Sequence, residues 1–317
     1  MKQISKLIYK FFSYLIILII LLLLIRNLSI NWQNVRTYQF SFNYFYLGLS
    51  CITLGLAMSN LVFAWNKILR TIEPSHKISN FNALKIYVYS WFGKYIPGKI
   101  WTVLGKVYLG NKEGVSKKSL LISSFLDGSF SIISALVLGV SFLFISLGNI
   151  FPSLYLLSVL VVIFGIIIIH PKVFYPLFNF VLRKFKKEEI SPQEFLSYRK
   201  IIQIIPYYLL VFFINGLALF CLINSIAYLS VQNLLGIIGA FNLAGVLGIM
   251  AVFAPSGLGI REGALVMFLQ LYFPTSIAIL ISFLARSWTT GVEMFLFIGV
   301  YLYSKIKKYE RKISRVY

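Results

Sequence analysis

Acidic residues are scarce in this chain: nine of its 317 residues are Asp or Glu, and Asp127 is the only aspartate. Histidine and cysteine are scarcer still, with two of each. Cys51 and Cys221 fall within apolar runs, which predicts packing residues and not a disulfide or a metal site. His76 and His170 stand as polar flanks of apolar runs. No cluster of Asp, His or Cys has metal-ligand spacing, so we expect neither a metal nor another cofactor.

Charged residues of both signs are few, because Lys, Arg, Asp and Glu make up 12% of the chain whereas 59% of it is hydrophobic. The mean hydropathy is +0.84. These values predict an all-α polytopic membrane protein. The net charge of +21 could suggest a nucleic-acid partner. The Lys and Arg residues lie at the edges of apolar runs, however, where they set topology and meet anionic lipid, so we expect no nucleic-acid partner.

Apolar runs divide the chain into membrane-crossing segments. The first run could also be a signal peptide, but no small-residue cleavage site follows it. About six runs are predicted as full transmembrane helices: Phe11 to Ile25, Tyr44 to Trp65, Leu120 to Leu147, Leu154 to Ile169, Pro206 to Leu229 and Ser276 to Tyr303.

Two further apolar stretches are interrupted by Pro and Gly. The first, Ala83 to Leu109, is broken at Pro97 and Gly98, and the piece before the break is too short to cross. The second, Leu234 to Phe273, is broken between Ala254 and Gly263. We predict a re-entrant hairpin for each, because broken backbone at membrane depth persists only where protein buries it or it lines a polar cavity. For the second stretch, a water-exposed turn between two crossings remains an alternative.

Basic segments orient these elements. Residues 171–200 form a predicted central cytoplasmic loop and residues 304–317 a basic cytoplasmic tail, so both termini are expected in the cytoplasm. The order span, span, hairpin, span in residues 1–148 then recurs, with every direction reversed, in residues 154–303. We therefore predict one membrane domain, 1–317, built as an inverted repeat, which favours a transporter whose site lies near the bilayer midplane.

Several charges lie deep within the apolar framework. Because a charge at the bilayer centre is costly, Asp127, Glu262 and Glu293 are predicted to balance charge or to carry protons. Arg286 belongs to the same group, since it stands seven residues before Glu293 on one predicted helix face. The alternative is a set of structural ion pairs, in which Arg286 binds Glu293 or Glu262, and Arg261 binds Asp127.

The two broken segments have features that favour binding of a phosphate group. A helix that starts after each break would present its positive end, and Lys99 and Arg261 would add full charges beside it. Arginine can hold phosphate through two hydrogen bonds, and glycine lets the backbone approach closely. The predicted substrate-binding residues are Pro97, Gly98, Lys99, Gly257, Gly259 and Arg261.

The segments Lys94 to Lys99, followed by Trp101, and Ala254 to Gly263 resemble the two signature segments of the lysylphosphatidylglycerol synthase transmembrane (flippase-like) family. The resemblance covers nearly the whole chain. It implies a multi-pass protein of a bacterial or archaeal inner membrane that moves an anionic lipid or a lipid-linked saccharide between leaflets. The chain ends at Tyr317 without a soluble acyltransferase-like domain, so we expect a stand-alone member that does not make aminoacyl lipids.

Two other functions stay open on the sequence. One is a regulatory or scaffold subunit that does not transport, and the other is a membrane-embedded lipid-modifying transferase. An enzyme of that kind generally needs a metal or an acid/base pair at a membrane face, and the first outside loop, Arg26 to Asn43, contains no acid. We therefore predict no catalytic residue. The identity of the lipid and the oligomeric state stay open, with a homo-oligomer as one option.

Overall fold

A computed structural model describes residues 2–75, 78–96, 100–148, 151–184, 191 and 196–313. Within these residues all regular structure is helical. The α-helices are α1 (Lys2–Ile30), α2 (Trp32–Thr37), α3 (Tyr44–Ile72), α4 (Asn80–Trp91), α5 (Trp101–Lys112), α6 (Lys117–Leu147), α7 (Ser153–Ile169), α8 (Pro171–Lys184), α9 (Tyr198–Asn224), α10 (Leu234–Met250), α11 (Ile260–Leu269) and α12 (Thr275–Ile313).

Five helical segments in the described part of the chain are long and apolar enough to cross a membrane. They are α3, α6, α9, the segment Val231–Met250 that contains α10, and α12 as far as Lys307. A sixth is present if α7 and the start of α8 form one bent span. The protein is therefore an all-α polytopic membrane protein, as its composition predicts.

The described residues of the predicted central cytoplasmic loop, 171–200, include the whole of α8 and the first residues of α9. Helix α7 ends where His170 adopts an extended conformation, which the following Pro171 favours by steric exclusion of the helical region. Helix α8 then leaves at 74° to α7. Phe174 and Tyr175 on α8 are buried against the bundle. Helix α8 therefore packs through an apolar face, which is hard to recognise in the sequence because the region has a net basic charge.

The first broken stretch forms a hairpin of α4 and α5. Ser79 caps α4 by accepting a hydrogen bond from the amide of Asn82. The two helices pack closely, because a Cβ atom on Gly105 of α5 would lie 2.9 Å from the Cβ atom of Ser90 on α4. The described residues at the turn end at Ile96 and resume at Ile100. Pro97, Gly98 and Lys99, which the sequence analysis assigns to the binding site, lie outside the described residues.

The second broken stretch turns sharply between α10 and α11. Ser256, Gly257 and Gly259 all have positive φ angles, at 52°, 71° and 80°. Gly257 also lies against α10, where an added Cβ atom would be 2.8 Å from the Cα atom of Gly248. The segment Val231–Met250 is 20 residues long, enough to cross by itself, so a full crossing and a re-entrant path both stay compatible with its length.

The bundle is built on close helix pairs. Helices α6 and α10 pack in opposite directions, because Gly139 meets Leu243 while Gly239 meets Leu143. The largest buried cluster joins residues of α9, α10, α11 and α12. The two halves and their inversion stay a prediction. The predicted tail from residue 304 begins within α12, which continues as a helix to Ile313.

Candidate functional site

The two broken segments meet inside the bundle. The turn Phe92–Tyr95 after α4 contacts the turn Pro255–Gly257 before α11. Arg286 of α12 links them, because its Nη1 atom donates a hydrogen bond of 3.1 Å to the carbonyl oxygen of Ser256. Its guanidinium carbon also lies 6.0 Å from the centre of the Tyr95 ring. The described part of the first break therefore meets the second break.

A cavity of about 570 Å³ lies beside this junction. Its volume falls within the range of roughly 300 to 1,000 Å³ that is usual for small-molecule sites. Side chains from both hairpins, α3, α6, α9 and α12 form its wall. We call it the central cavity; its charged lining residues are Lys94, Lys106, Asp127, Arg261 and Glu293.

Asp127 forms the most enclosed ion pair at the central cavity. The Nζ atom of Lys106 lies 2.7 Å from its Oδ2 atom. The hydroxyl group of Tyr87 donates a 2.9 Å hydrogen bond to the same oxygen, and that of Tyr208 donates a 2.6 Å hydrogen bond to Oδ1. The Lys106 ammonium also lies 3.6 Å from the centre of the Tyr87 ring, a cation–π contact. Both oxygens of Asp127 are thus occupied by buried donors.

Glu293 forms a second ion pair, with Lys94 from the turn of the first hairpin. The hydroxyl group of Tyr95 donates a 3.0 Å hydrogen bond to the other carboxylate oxygen of Glu293. The Lys94 side chain is 26% exposed, whereas that of Lys106 is 7% exposed. This second pair is therefore the more accessible of the two.

Glu262 acts chiefly within its own helix. Its Oε2 atom accepts a 2.7 Å hydrogen bond from the amide of Gly259, which caps α11. Its Oε1 atom lies 3.5 Å from Nη1 of Arg286 and accepts no hydrogen bond from the described residues. Arg286 therefore neutralises Glu262 and holds the Ser256 carbonyl at the same time.

Arg261 differs from the other three cations. Within the described residues, no carboxylate oxygen lies within 4.0 Å of its guanidinium group. The guanidinium carbon lies 4.9 Å from the centre of the Phe241 ring, and the side chain lines the central cavity. Because Arg261 is in the first turn of α11, the positive end of that helix lies beside it.

The sequence-predicted site residues are only partly brought together. Arg261 and Glu293 line the central cavity with Asp127, whereas Glu262 and Arg286 form a neighbouring pair. Gly257 and Gly259 shape the turn that positions Arg261. The alternative pairing of Arg261 with Asp127 is wrong, because Asp127 binds Lys106.

The alternative pairing of Arg286 with Glu293 is also wrong. The two residues share α12, but Arg286 reaches the second break and Glu293 reaches Lys94 of the first. The pairing of Arg286 with Glu262, which was the other option, is the one present.

Sequence reasoning missed Lys94 and Lys106 as individual site residues. Lys94 belongs to the first signature segment, and Lys106 lies in the apolar piece that follows Pro97 and Gly98. The usable signal was a basic residue inside an apolar helix, which marks a site as reliably as an acid does. The described residues contain no group of three or more His, Cys, Asp and Glu side chains that could hold a metal ion.

Comparison with known proteins identifies the family of the chain. A search of curated proteins finds no match. Residues 10–296, which include every charged side chain of the central cavity, match the family described as "Lysylphosphatidylglycerol synthase TM region". The chain therefore belongs to the lysylphosphatidylglycerol synthase transmembrane-region family.

Proposed function

We propose that this protein is a flippase that moves an anionic phospholipid or a polyprenyl-phosphate-linked glycan between the leaflets of the cell membrane. Family membership indicates a membrane protein of lipid metabolism or transport. In the proposed arrangement both termini face the cytoplasm, in line with the basic segments at the chain ends. The phosphate of the lipid binds in the central cavity, where Arg261 is its main contact.

The observation that carries this proposal is the contrast between Arg261 and the other cations. Lys94, Lys106 and Arg286 each have a carboxylate oxygen within 4.0 Å, whereas no carboxylate oxygen of the described residues lies that close to the Arg261 guanidinium. A charged group at membrane depth is costly without a counter-ion. An anionic ligand in the central cavity supplies that counter-ion, and a guanidinium can hold two phosphate oxygens at once.

The charge balance of the wider site supports an anionic ligand. Among the described residues at the meeting of the two breaks, four cations stand against three carboxylates: Lys94, Lys106, Arg261 and Arg286 against Asp127, Glu262 and Glu293. The excess is positive. A zwitterionic headgroup would leave that excess uncompensated, so the site favours a headgroup with net negative charge.

Purified protein in proteoliposomes tests the proposal. Fluorescent phosphatidylglycerol, fluorescent phosphatidylcholine and a labelled short polyprenyl phosphate are compared for movement between leaflets. We expect one of the two anionic probes to move at least tenfold faster than the zwitterionic probe. Which anionic probe moves distinguishes a phospholipid substrate from a polyprenyl-phosphate substrate.

The variants Arg261→Ala and Arg261→Lys separate binding from folding. We expect Arg261→Ala to lose transport while its thermal unfolding in detergent stays close to that of the unmodified protein, because no carboxylate among the described residues loses its partner. Arg261→Lys should recover part of the transport, since it keeps the charge without the planar fork. Normal transport in Arg261→Ala would remove this residue from the site. No lipid movement in the unmodified protein would favour a scaffold or regulatory subunit.

A further inference from the structure

We propose that α8 lies in the plane of the membrane surface and binds the anionic headgroups of the leaflet on which it lies. Its exposed apolar side chains insert between the acyl chains, and its basic side chains contact lipid phosphate. This surface is separate from the central cavity, because none of the described residues of α8 lines that cavity. The inference therefore does not depend on lipid transport.

The length of α7 sets the direction of α8. Helix α7 has 17 residues and is therefore about 26 Å long. Large apolar side chains are exposed along it from Leu156 to Ile167, as on a helix that crosses a membrane. The hydrocarbon core of a bilayer is about 30 Å thick, so α7 crosses it only if it stands almost upright.

Helix α8 consequently runs nearly parallel to the membrane. It leaves α7 at an angle of 74°. At a rise of about 1.5 Å per residue, Pro171–Phe180 advances only about 4 Å along the α7 axis. Helix α8 thus begins at the depth where the hydrocarbon core ends and stays close to that depth.

Hydrogen bonds fix α8 in this direction. The carbonyl oxygen of His170 accepts a hydrogen bond of 2.9 Å from the amide of Phe174. The Nδ1 atom of His170 accepts another, of 3.3 Å, from the amide of Lys172. On the bundle side, the hydroxyl group of Tyr175 accepts a 2.6 Å hydrogen bond from the amide of Leu196, just before α9. The bend at residue 170 is therefore held at both of its sides.

Helix α8 has an exposed apolar stripe besides the face that packs on the bundle. The stripe consists of Val173, Leu177 and Phe180, which are 39%, 53% and 60% exposed. Successive residues of a helix are about 100° apart, so these three lie within about 60° of one another. At the depth where the hydrocarbon core ends, the acyl chains of the leaflet cover this stripe.

The basic residues of α8 lie beside the apolar stripe. Lys172 in the first turn and Arg183 in the last are both exposed, and they lie within about 20° of each other around the helix. They are about 100° from the middle of the apolar stripe, so they reach the headgroups when that stripe faces the acyl chains. Helix α8 has no acidic residue, which favours an anionic leaflet. A second copy on a two-fold axis would instead bring like charges together.

Quenching by brominated lipids tests the position of α8. Single cysteines are introduced by Leu177→Cys or Phe180→Cys into a protein whose two native cysteines are replaced by alanine, and each carries a bimane label in proteoliposomes. A label at Phe164→Cys, an exposed position on α7, is the reference for contact with acyl chains. We expect bromine on the acyl chains to quench the two α8 labels at least half as strongly as the reference.

A comparison of two brominated lipids tests the charge preference. Dibromo-phosphatidylserine and dibromo-phosphatidylcholine are used at the same mole fraction with the label at Phe180→Cys. We expect about twofold stronger quenching by the anionic lipid. The double variant Lys172→Gln with Arg183→Gln should bring the ratio close to one. Lys117→Gln is the matched control, because it removes an exposed basic residue at the start of α6 and should leave the ratio unchanged.

Several outcomes would overturn this inference. Unquenched labels at both α8 positions would place the stripe away from acyl chains. Quenching that appears only when the protein is diluted in lipid would assign the stripe to a second copy. Equal quenching by the two lipids, or an equal loss of preference in Lys117→Gln, would remove the anionic site from α8. Arg261→Ala should keep the normal quenching, so failure of the proposed transport function leaves this inference intact.

A measurement on the unmodified protein covers the case in which the cysteine-free protein does not fold. The protein is irradiated in liposomes that contain a lipid with a diazirine group in its acyl chain. We expect crosslinks to residues 173–180 of α8. Crosslinks to α7 without any to α8 would overturn the position of α8 at the membrane surface.

Discussion

The Nζ atom of Lys106 lies 2.7 Å from the Oδ2 atom of Asp127, and both side chains are less than one tenth exposed. Two tyrosines complete the arrangement, so the only aspartate of the chain joins α4, α5, α6 and α9. Such a pair gains little over apolar packing when it is complete, but removal of one partner leaves an uncompensated buried charge. Asp127 therefore fixes the first hairpin against the rest of the bundle.

The first prediction concerns Asp127→Ala. We expect the free energy of unfolding to fall by about 3–5 kcal/mol, because Lys106 loses its counter-ion and the hydroxyl groups of Tyr87 and Tyr208 lose their acceptor. Thermal and denaturant unfolding in detergent measure the change.

The double variant Lys106→Met with Asp127→Leu is the control for this effect. It removes both charges together, so it should be more stable than Asp127→Ala alone. If Asp127→Ala unfolds like the unmodified protein, the pair does not anchor the hairpin, and Asp127 returns to the charge-coupling role that the sequence suggested.

The sequence predicts the longest spans better than it predicts the ion pairs, for a physical reason. A long apolar run is stable as a helix that crosses the membrane, so composition alone predicts that α3, α6 and α12 span it. The partner of a charged side chain depends on which helices meet. Arg286 and Glu293 share a helix, yet they contact the second and the first break respectively.

The meeting of the two breaks was predictable, because broken backbone in a membrane needs a buried or polar environment. The helix over 171–184 was not predictable, since the basic residues of the region conceal the few apolar side chains that α8 buries. Lys106 was hidden similarly, because α5 is short and ends at the basic residue Lys112.

The second prediction concerns the pair of Lys94 and Glu293. Glu293→Gln should raise the affinity for glycerophosphoglycerol, a phosphodiester without hydrocarbon tails, about tenfold. The reason is that Lys94 loses the carboxylate that competes with the ligand phosphate. Lys94→Ala should lower that affinity by a similar factor. Isothermal titration with the purified protein measures both.

Affinity changes of opposite sign in the two variants would show that Glu293 and the ligand phosphate compete for Lys94. A purely structural ion pair would not produce them. Tyr95 can still donate to the amide oxygen of the glutamine, so we expect Glu293→Gln to change the free energy of unfolding by no more than about 1 kcal/mol. A loss of affinity and stability in both variants alike would show that this pair only holds the helices together.

The third prediction concerns Gly257→Ala. Alanine at a φ of 71° costs about 1–2 kcal/mol, and its Cβ atom would also lie 2.8 Å from the Cα atom of Gly248. We therefore expect the free energy of unfolding to fall by about 2 kcal/mol or more. The matched control is Gly291→Ala on α12, where open space and a helical backbone should leave stability unchanged or raise it by up to about 1 kcal/mol.

The same substitution should weaken ligand binding, because Gly248 lies between Gly257 and Arg261. A Cβ atom on Gly248 would lie only 2.9 Å from the Cβ atom of Arg261, so a shift of the α10 backbone away from residue 257 moves the guanidinium as well. We expect at least threefold weaker binding of glycerophosphoglycerol by Gly257→Ala and no change in Gly291→Ala. Reduced stability with normal binding would mean that Arg261 keeps its place when the turn is strained, and the turn would then support the fold without positioning the site.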